Sequence, residues 1–215
     1  SGVTVSNATL HNPAQIERLD VRKGDTVVVT RSGDVIPYVV KVVQELRPKG
    51  AEKITVPEAC PVCGGKTERT EADVLCGNRF SCPAQLKAAI DHFCSRPAMN
   101  IEGFGPEWID QLVERGLVRS VADLYALDAK GLLGLDRMGE KLAQNLLDAV
   151  AGSKRVTLAR FIHALGIKHV GERTAQALAD HFGSMEKVEA ATVEALEETP
   201  DVGPAVAESI RAFFG

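Results

Sequence analysis

Apolar positions along the chain fall into two regimes. Up to about residue 56 they come in short β-branched runs broken by polar turns, and beyond residue 83 they recur every three or four residues. In the first regime Val3-Thr4-Val5 is a short β-type run. Asn12-Pro13 is a helix start, with Asn12 as cap, Pro13 in the first turn, and Ile16 and Leu19 sharing one face. Thr26 to Thr30 reads as a strand and Arg31-Ser32-Gly33-Asp34 as a turn. Val35 to Val43 reads as a returning strand that Pro37 marks as an edge or bulge, and Ile54-Thr55-Val56 as a closing strand. Short strands and one helix in so short a segment predict a small β-barrel of the oligonucleotide-binding (OB-fold) kind, although an SH3-like barrel fits the same pattern.

In the second regime Pro83-Ala84-Gln85 opens a helix that runs to about Arg96 with Leu86, Ile90 and Phe93 inward. Cys94 lies in that apolar pattern and reads as a buried small hydrophobe. One phrase then occurs four times. Ile101-Glu102-Gly103-Phe104-Gly105, Leu135-Asp136-Arg137-Met138-Gly139, Ile167-Lys168-His169-Val170-Gly171 and Thr199-Pro200-Asp201-Val202-Gly203 each precede an amphipathic helix. The final glycines stand at 105, 139, 171 and 203, in steps of 34, 32 and 32. Repeated punctuation at that period is an internal repeat whose unit is helix, tight apolar hairpin, helix.

Between the regimes lie Cys60, Cys63, Cys76 and Cys82. Two thiolates two residues apart clamp an ion from a knuckle, and a second pair completes the all-sulfur tetrahedron of a structural zinc site with no open position for catalysis. The alternative is two disulfides in a secreted domain, but the start of the chain resembles no signal peptide and the rest is too core-rich to need staples. The expected architecture is therefore multidomain: a β-barrel over 1–57, a four-cysteine zinc finger over 58–85, and an all-α helix-hairpin-helix domain of four units over 86–215. The metal site is expected to act as a joint.

Composition narrows the function. The formal net charge is −4, and no apolar run is long enough to cross a membrane. A nonspecific coat for nucleic acid is excluded on charge, and any such contact must be made by local geometry. The repeat supplies that geometry, because a helix start presents unpartnered N–H groups and positive dipole, and a glycine turn lets another backbone come close. Such cradles follow phosphates and read shape rather than bases. Charged neighbours strengthen the second unit (Arg137, Gly139, Lys141) and the third (Lys168, His169, Gly171, Arg173), while the first offers Gly103 and Gly105 beside Glu102 and Glu107. The fourth has Asp201 and an acidic setting. Helical repeats are otherwise protein-binding solenoids or packing units, and for the fourth hairpin that reading carries equal weight. His169 has no second ligand at useful spacing, and His163 and His181 read as structural.

Several phrases together resemble one family. They are Gly2-Val3-Thr4-Val5-Ser6, Ala8-Thr9-Leu10-His11-Asn12, Val21-Arg22 with Gly24-Asp25, Arg31-Ser32-Gly33-Asp34-Val35-Ile36-Pro37, the cysteines ending in Cys82-Pro83-Ala84-Gln85, Met138-Gly139-Glu140-Lys141, and Ala143-Gln144-Asn145-Leu146. With barrel, finger and four hairpins in this order, the chain resembles the C-terminal half of bacterial NAD-dependent DNA ligase over essentially all of its residues. The resemblance implies an enzyme that moves AMP from NAD to a lysine, then to the 5′-phosphate of a nick, and seals with the 3′-hydroxyl during replication and repair. The Lys-x-Asp-Gly motif of that lysine is absent, so no catalytic residue is expected here. NAD and magnesium would belong to domains outside the chain, which is expected to be a fragment. The implied role is a clamp on nicked duplex DNA, with Arg31 and His11 near the barrel's DNA-facing surface. The implied partners are the duplex and the adenylation domain of the same chain, in a monomeric, cytoplasmic, nucleoid-associated protein. Two other readings share part of the pattern. A DNA glycosylase would need an aspartate after a Gly-Pro pair, and Gly203-Pro204 is followed by Ala205. A non-catalytic zinc-containing module of a replication or repair factor shares every physical feature.

Overall fold

The computed structural model describes residues 6–30, 36–70 and 73–215. The chain divides into two compact units, Ser1–Arg79 and Phe80–Gly215. The run 3–5, the turn 31–34 and the first residue of the expected second strand lie outside the described residues.

In the first unit Asn12 caps helix α1 (Pro13–Leu19), its side-chain oxygen accepting from the backbone N–H of Gln15 at 2.9 Å. The valine run forms β1 (Val27–Thr30), which pairs antiparallel with β2 (Tyr38–Val42) and carries a bulge between Val28 and Val29. Ile36 and Pro37 stand outside the returning strand, which starts at Tyr38, since proline has no N–H for the ladder. Pro37 still contributes its carbonyl, which accepts from the N–H of Thr9 (2.8 Å), and the carbonyl of Thr9 accepts from Val39 (3.1 Å). That parallel bridge ties the segment before α1 to the sheet. The expected strand at 54–56 is replaced by one bridge between Arg22 and Lys53. A second hairpin, β3 (Thr67–Arg69) with β4 (Val74–Cys76), follows.

An ionic knot holds the turns of this unit. Arg47 donates from Nε to Asp25 (2.9 Å) and from Nη1 to Asp20 (2.7 Å), while Asp25 also accepts from the backbone N–H of Arg22 (2.8 Å). The Asp25 side chain is 1% exposed. A carboxylate so enclosed is tolerable because every face is met by a donor. Hydrogen bonding to Arg47 holds the carboxyls of both Asp20 and Asp25 below their usual range.

The second unit is helical: α2 (Pro83–Cys94), α3 (Pro106–Glu114), a 3-10 turn (Val121–Ala126), α4 (Ala129–Leu133), α5 (Glu140–Ser153), α6 (Leu158–Ala164), α7 (Glu172–Phe182), α8 (Met185–Ala190), α9 (Val193–Glu197) and α10 (Pro204–Phe214). The pairs α2–α3, α4–α5, α6–α7 and α9–α10 each flank one hairpin. Two cores result. The first gathers Ile90, Ile109, Leu112, Leu124, Leu132 and Leu146, and the second Ile162, Leu178, Leu196 and Ile210, all essentially without exposure. Each such side chain contributes about 1.5–3 kcal/mol of burial free energy. Helix α6 is shared, with Phe161 and Ala164 in the first core and Leu158 and Ile162 in the second. His92 on α2 donates from Nε2 to the carbonyl of His163 on α6 at 2.8 Å. Cys94 is buried in the first core, and desolvation pushes its thiol up to about 12, so it packs as a hydrophobe.

Candidate nucleic-acid interface and metal centre

The four hairpins share one construction. Two anchors three residues apart are buried in each: Ile101 and Phe104, Leu135 and Met138, Ile167 and Val170, Thr199 and Val202. Between them stands a residue in the left-handed region, Gly103 (φ 95°), Arg137 (63°), His169 (68°) or Asp201 (64°). The three non-glycine residues therefore form the same turn as Gly103. Only at Gly103 does packing demand glycine, because a Cβ there would lie 2.6 Å from Cδ2 of Leu146.

The helices then start on Gly105, Gly139, Gly171 and Gly203, each in extended backbone with no side-chain cap. Their carbonyls accept from Ile109, Ala143, Ala175 and Ala207 at 2.9–3.1 Å. A Cβ placed on any of these four glycines would meet nothing within 4 Å. The floor over each helix start is open, and the first-turn N–H groups have no side chain of their own to satisfy them.

The first turns differ, and this divides the four. At the first helical position Pro106 and Pro204 have no N–H to offer, whereas Glu140 and Glu172 keep theirs. The next position holds Glu107, Lys141, Arg173 and Ala205 in turn. Lys141 and Arg173 thus occupy the same register two residues beyond the open glycine. Arg137, Lys168 and His169 stand exposed on the turns before them. Hairpins two and three have an N–H at the first helical position and a cation at the second; hairpins one and four have a proline at the first and no cation at the second. This division is written in the sequence as Gly-Pro against Gly-Glu-Lys and Gly-Glu-Arg, but it is legible only once the cap position is known. A second relation has no sequence signal. The Nε of Arg173 donates to Asp201 Oδ2 at 2.9 Å and its Nη2 to Oδ1 at 3.3 Å, joining hairpin three to hairpin four. Arg31 lies outside the described residues. His11, itself in the left-handed region, places its ring 5.3 Å from that of Tyr38. His181 is exposed rather than structural.

The four cysteines come together. The Sγ atoms of Cys60, Cys63, Cys76 and Cys82 all lie within 4.8 Å of one another, with Cys63 and Cys76 at 3.4 Å, and no disulfide joins them. Four sulfurs at about 2.3 Å from one tetrahedral centre stand about 3.8 Å apart, so the cluster fits zinc. The knuckle is closed by Cys60 N–H to the carbonyl of Gly65 (2.7 Å) and Gly64 N–H to that of Cys60 (2.9 Å). Backbone N–H groups of Cys63 and Val62 aimed at Cys60 lower its thiol to about 7, favouring the thiolate that a metal needs. Cys76 ends β4, and Cys82 is the residue on which α2 starts.

Three family models match. Residues 1–51 match the NAD-dependent DNA ligase OB-fold domain, residues 95–151 a SAM-like helix-hairpin-helix tandem, and residues 160–215 a helix-hairpin-helix motif. The first assigns the β1–β2 segment to an OB-fold, and the other two lie within the helical unit, one over α3 to most of α5 and the other over most of α6 to α10. Proteins named DNA ligase are similar over 99% of the chain: 58% identical in Methylococcus capsulatus, 54% in Alkalilimnicola ehrlichii and 53% in Hahella chejuensis. The chain spans 32% of the length of each of these relatives.

Proposed function

We propose that this portion of an NAD-dependent DNA ligase is the part that grips the nicked duplex, by contacts to the backbone rather than to base edges. The observation that carries the reading is the shared build of hairpins two and three: an open glycine cap, an N–H at the first helical position and a cation at the second. Phosphate oxygens are the ligands such a site suits, and two sites of this kind hold a strand without sequence preference. Hairpins one and four, with proline and carboxylates, play the lesser part. On this reading Arg137, Gly139 and Lys141, and Lys168, His169, Gly171 and Arg173, are the principal contacts. Gly103 and Gly105 are secondary, and Arg31 serves the barrel side.

The domains are then a barrel over 1–57, a finger over 58–85 and a hairpin domain over 86–215. Cys60, Cys63, Cys76 and Cys82 would hold a zinc ion, whose contribution is to fold the finger. Nick sealing belongs to the whole ligase, working as a monomer in the bacterial cytoplasm at the nucleoid, with NAD and magnesium bound by its other domains. The chain itself contributes grip and has no adenylated lysine.

Binding of the chain to nicked, intact and single-stranded DNA across a salt series tests this. The expected result is a preference for duplex, with affinity falling as salt rises by a slope of about 0.9 per phosphate neutralised. A further preference for the nick would place part of the recognition in the barrel. A chain that ignores duplex at moderate salt, both alone and with an adenylation domain added back, overturns the reading. A non-catalytic module of a repair factor would bind duplex equally well but would not restore sealing to an adenylation domain.

A further inference from the structure

Lys141 and Arg173 hold the same register on their helices, yet only one of them is engaged. Among the described residues Lys141 makes no ion pair, whereas Arg173 is held in two hydrogen bonds by Asp201. Asp201 sits where the other hairpins have Gly103, Arg137 and His169, at the left-handed residue two before the glycine cap. Its backbone geometry turns the carboxylate across to the neighbouring hairpin. The Arg173 side chain is nevertheless 85% exposed, and the pair lines, with Gln176, Asp180 and His181, an open hollow of about 600 Å³. The guanidinium therefore has open space on its free side and a single carboxylate on the other.

We infer that Asp201 is a competitor for phosphate: its carboxylate occupies Arg173 in the unbound protein and is displaced when hairpin three takes a phosphate oxygen. The inference rests on the duplex-binding reading and assigns the fourth hairpin a role within it. A guanidinium gives the same two-pronged donor face to a carboxylate and to a phosphate, so the two are alternatives at one site. An exposed ion pair is weak, worth at most about 1 kcal/mol, so phosphate displaces it at modest cost. The result is a third hairpin whose affinity is set lower, and whose salt response is set shallower, than its residues alone dictate. Asp201 acts through Arg173 and is not itself a contact.

The test is a double-mutant cycle on Arg173 and Asp201, read by binding of the 215-residue chain to a nicked duplex across a salt series. Asp201→Asn keeps shape and tolerates the left-handed backbone as well as aspartate does. It is expected to tighten binding about two- to five-fold, the equivalent of releasing one exposed ion pair, and to steepen the salt slope by about one. Arg173→Gln is expected to weaken binding, and Asp201→Asn in that background is expected to change nothing. A gain of the same size in the Arg173→Gln background means that only net charge matters and overturns the inference. Weaker binding by Asp201→Asn alone also overturns it, since the carboxylate would then be holding Arg173 in its binding pose. Both of those outcomes leave the duplex-binding reading standing. Failure of the parent chain and of every variant to bind duplex removes that reading and this inference with it.

Discussion

The Nε of Arg47 lies 2.9 Å from Oδ1 of Asp25, across twenty-two residues of sequence, and the carboxylate it meets is almost wholly enclosed. One side chain from a distant turn thus closes the site around two aspartates. Both carboxyls are held below the ordinary aspartate value of about 3.9. A depressed folded-state value means that the stabilisation is fully present above about pH 4 and is lost as pH falls through the folded-state values. Hydrogen-exchange protection in the segment 20–47, taken against the intrinsic rate at each pH, should therefore fall as the medium is acidified below that point. Arg47→Met should raise exchange there already at pH 7 and flatten the acid dependence. An unchanged acid dependence in Arg47→Met would mean that other groups govern acid lability in this unit.

Zinc should be present at one per chain and be lost on replacing any one of the four sulfurs. In Cys76→Ser the expected outcome is rapid exchange through the knuckle and the β3–β4 hairpin, with the helical circular dichroism of α2–α10 retained and duplex binding reduced. Acid should release the metal as thiolates take up protons. Collapse of the helical signal in Cys76→Ser would show that the metal supports far more of the fold than the finger.

The open glycine caps separate folding from binding. At Gly139 and Gly171 the backbone suits any residue and a methyl group meets no atom, so alanine should cost no more than about 1 kcal/mol of stability, the difference between a glycine and an alanine cap. The same methyl group stands where a phosphate oxygen would approach. Gly139→Ala and Gly171→Ala should each weaken duplex binding several-fold while lowering the melting temperature by no more than a few degrees, and Gly203→Ala should lower it alike but leave binding unaltered. Equal losses in all three would sink the division into inner and outer hairpins.

Thr199 occupies the first anchor position of the fourth hairpin, where its three counterparts are isoleucine or leucine. It is 2% exposed, and its hydroxyl finds no hydrogen-bond partner among the described residues. Valine keeps the shape and removes the orphaned polar group, so Thr199→Val should stabilise the second helical core by about 1 kcal/mol. Urea denaturation followed by exchange in α9 and α10 would measure it. A loss of stability would indicate that a buried water satisfies the hydroxyl.

The helical half of the fold is legible because its signals are local. The anchors three residues apart, the glycine caps and the inward stripes of α3, α5, α7 and α10 are all set by neighbours within a turn or two. The cysteine spacing is equally explicit. What the sequence hides depends on distance. The Arg173–Asp201 pair spans twenty-eight residues, and the knot around Arg47 joins three turns with no shared pattern. The expected strand at 54–56 follows β-propensity, but the chain there makes one bridge, at Lys53, because pairing is decided by what lies alongside. The equivalence of Gly103, Arg137, His169 and Asp201 was obscured by side chains that differ in every property except tolerance of a left-handed turn.

Helix α6 has consequences under load. It is only seven residues long, and its apolar residues are divided between two cores, Phe161 and Ala164 facing one and Leu158 and Ile162 the other. A pull on the chain's C-terminus would peel α10, α9, α8 and α7 in turn, each step giving up contacts of the second core alone. At α6 the peeling meets a helix still held by the first core and by the hydrogen bond from His92. Further extension then has to break both at once. The short helix is thus a mechanical stop: tension that strips the last two hairpins leaves the first two folded until a distinctly higher force is reached.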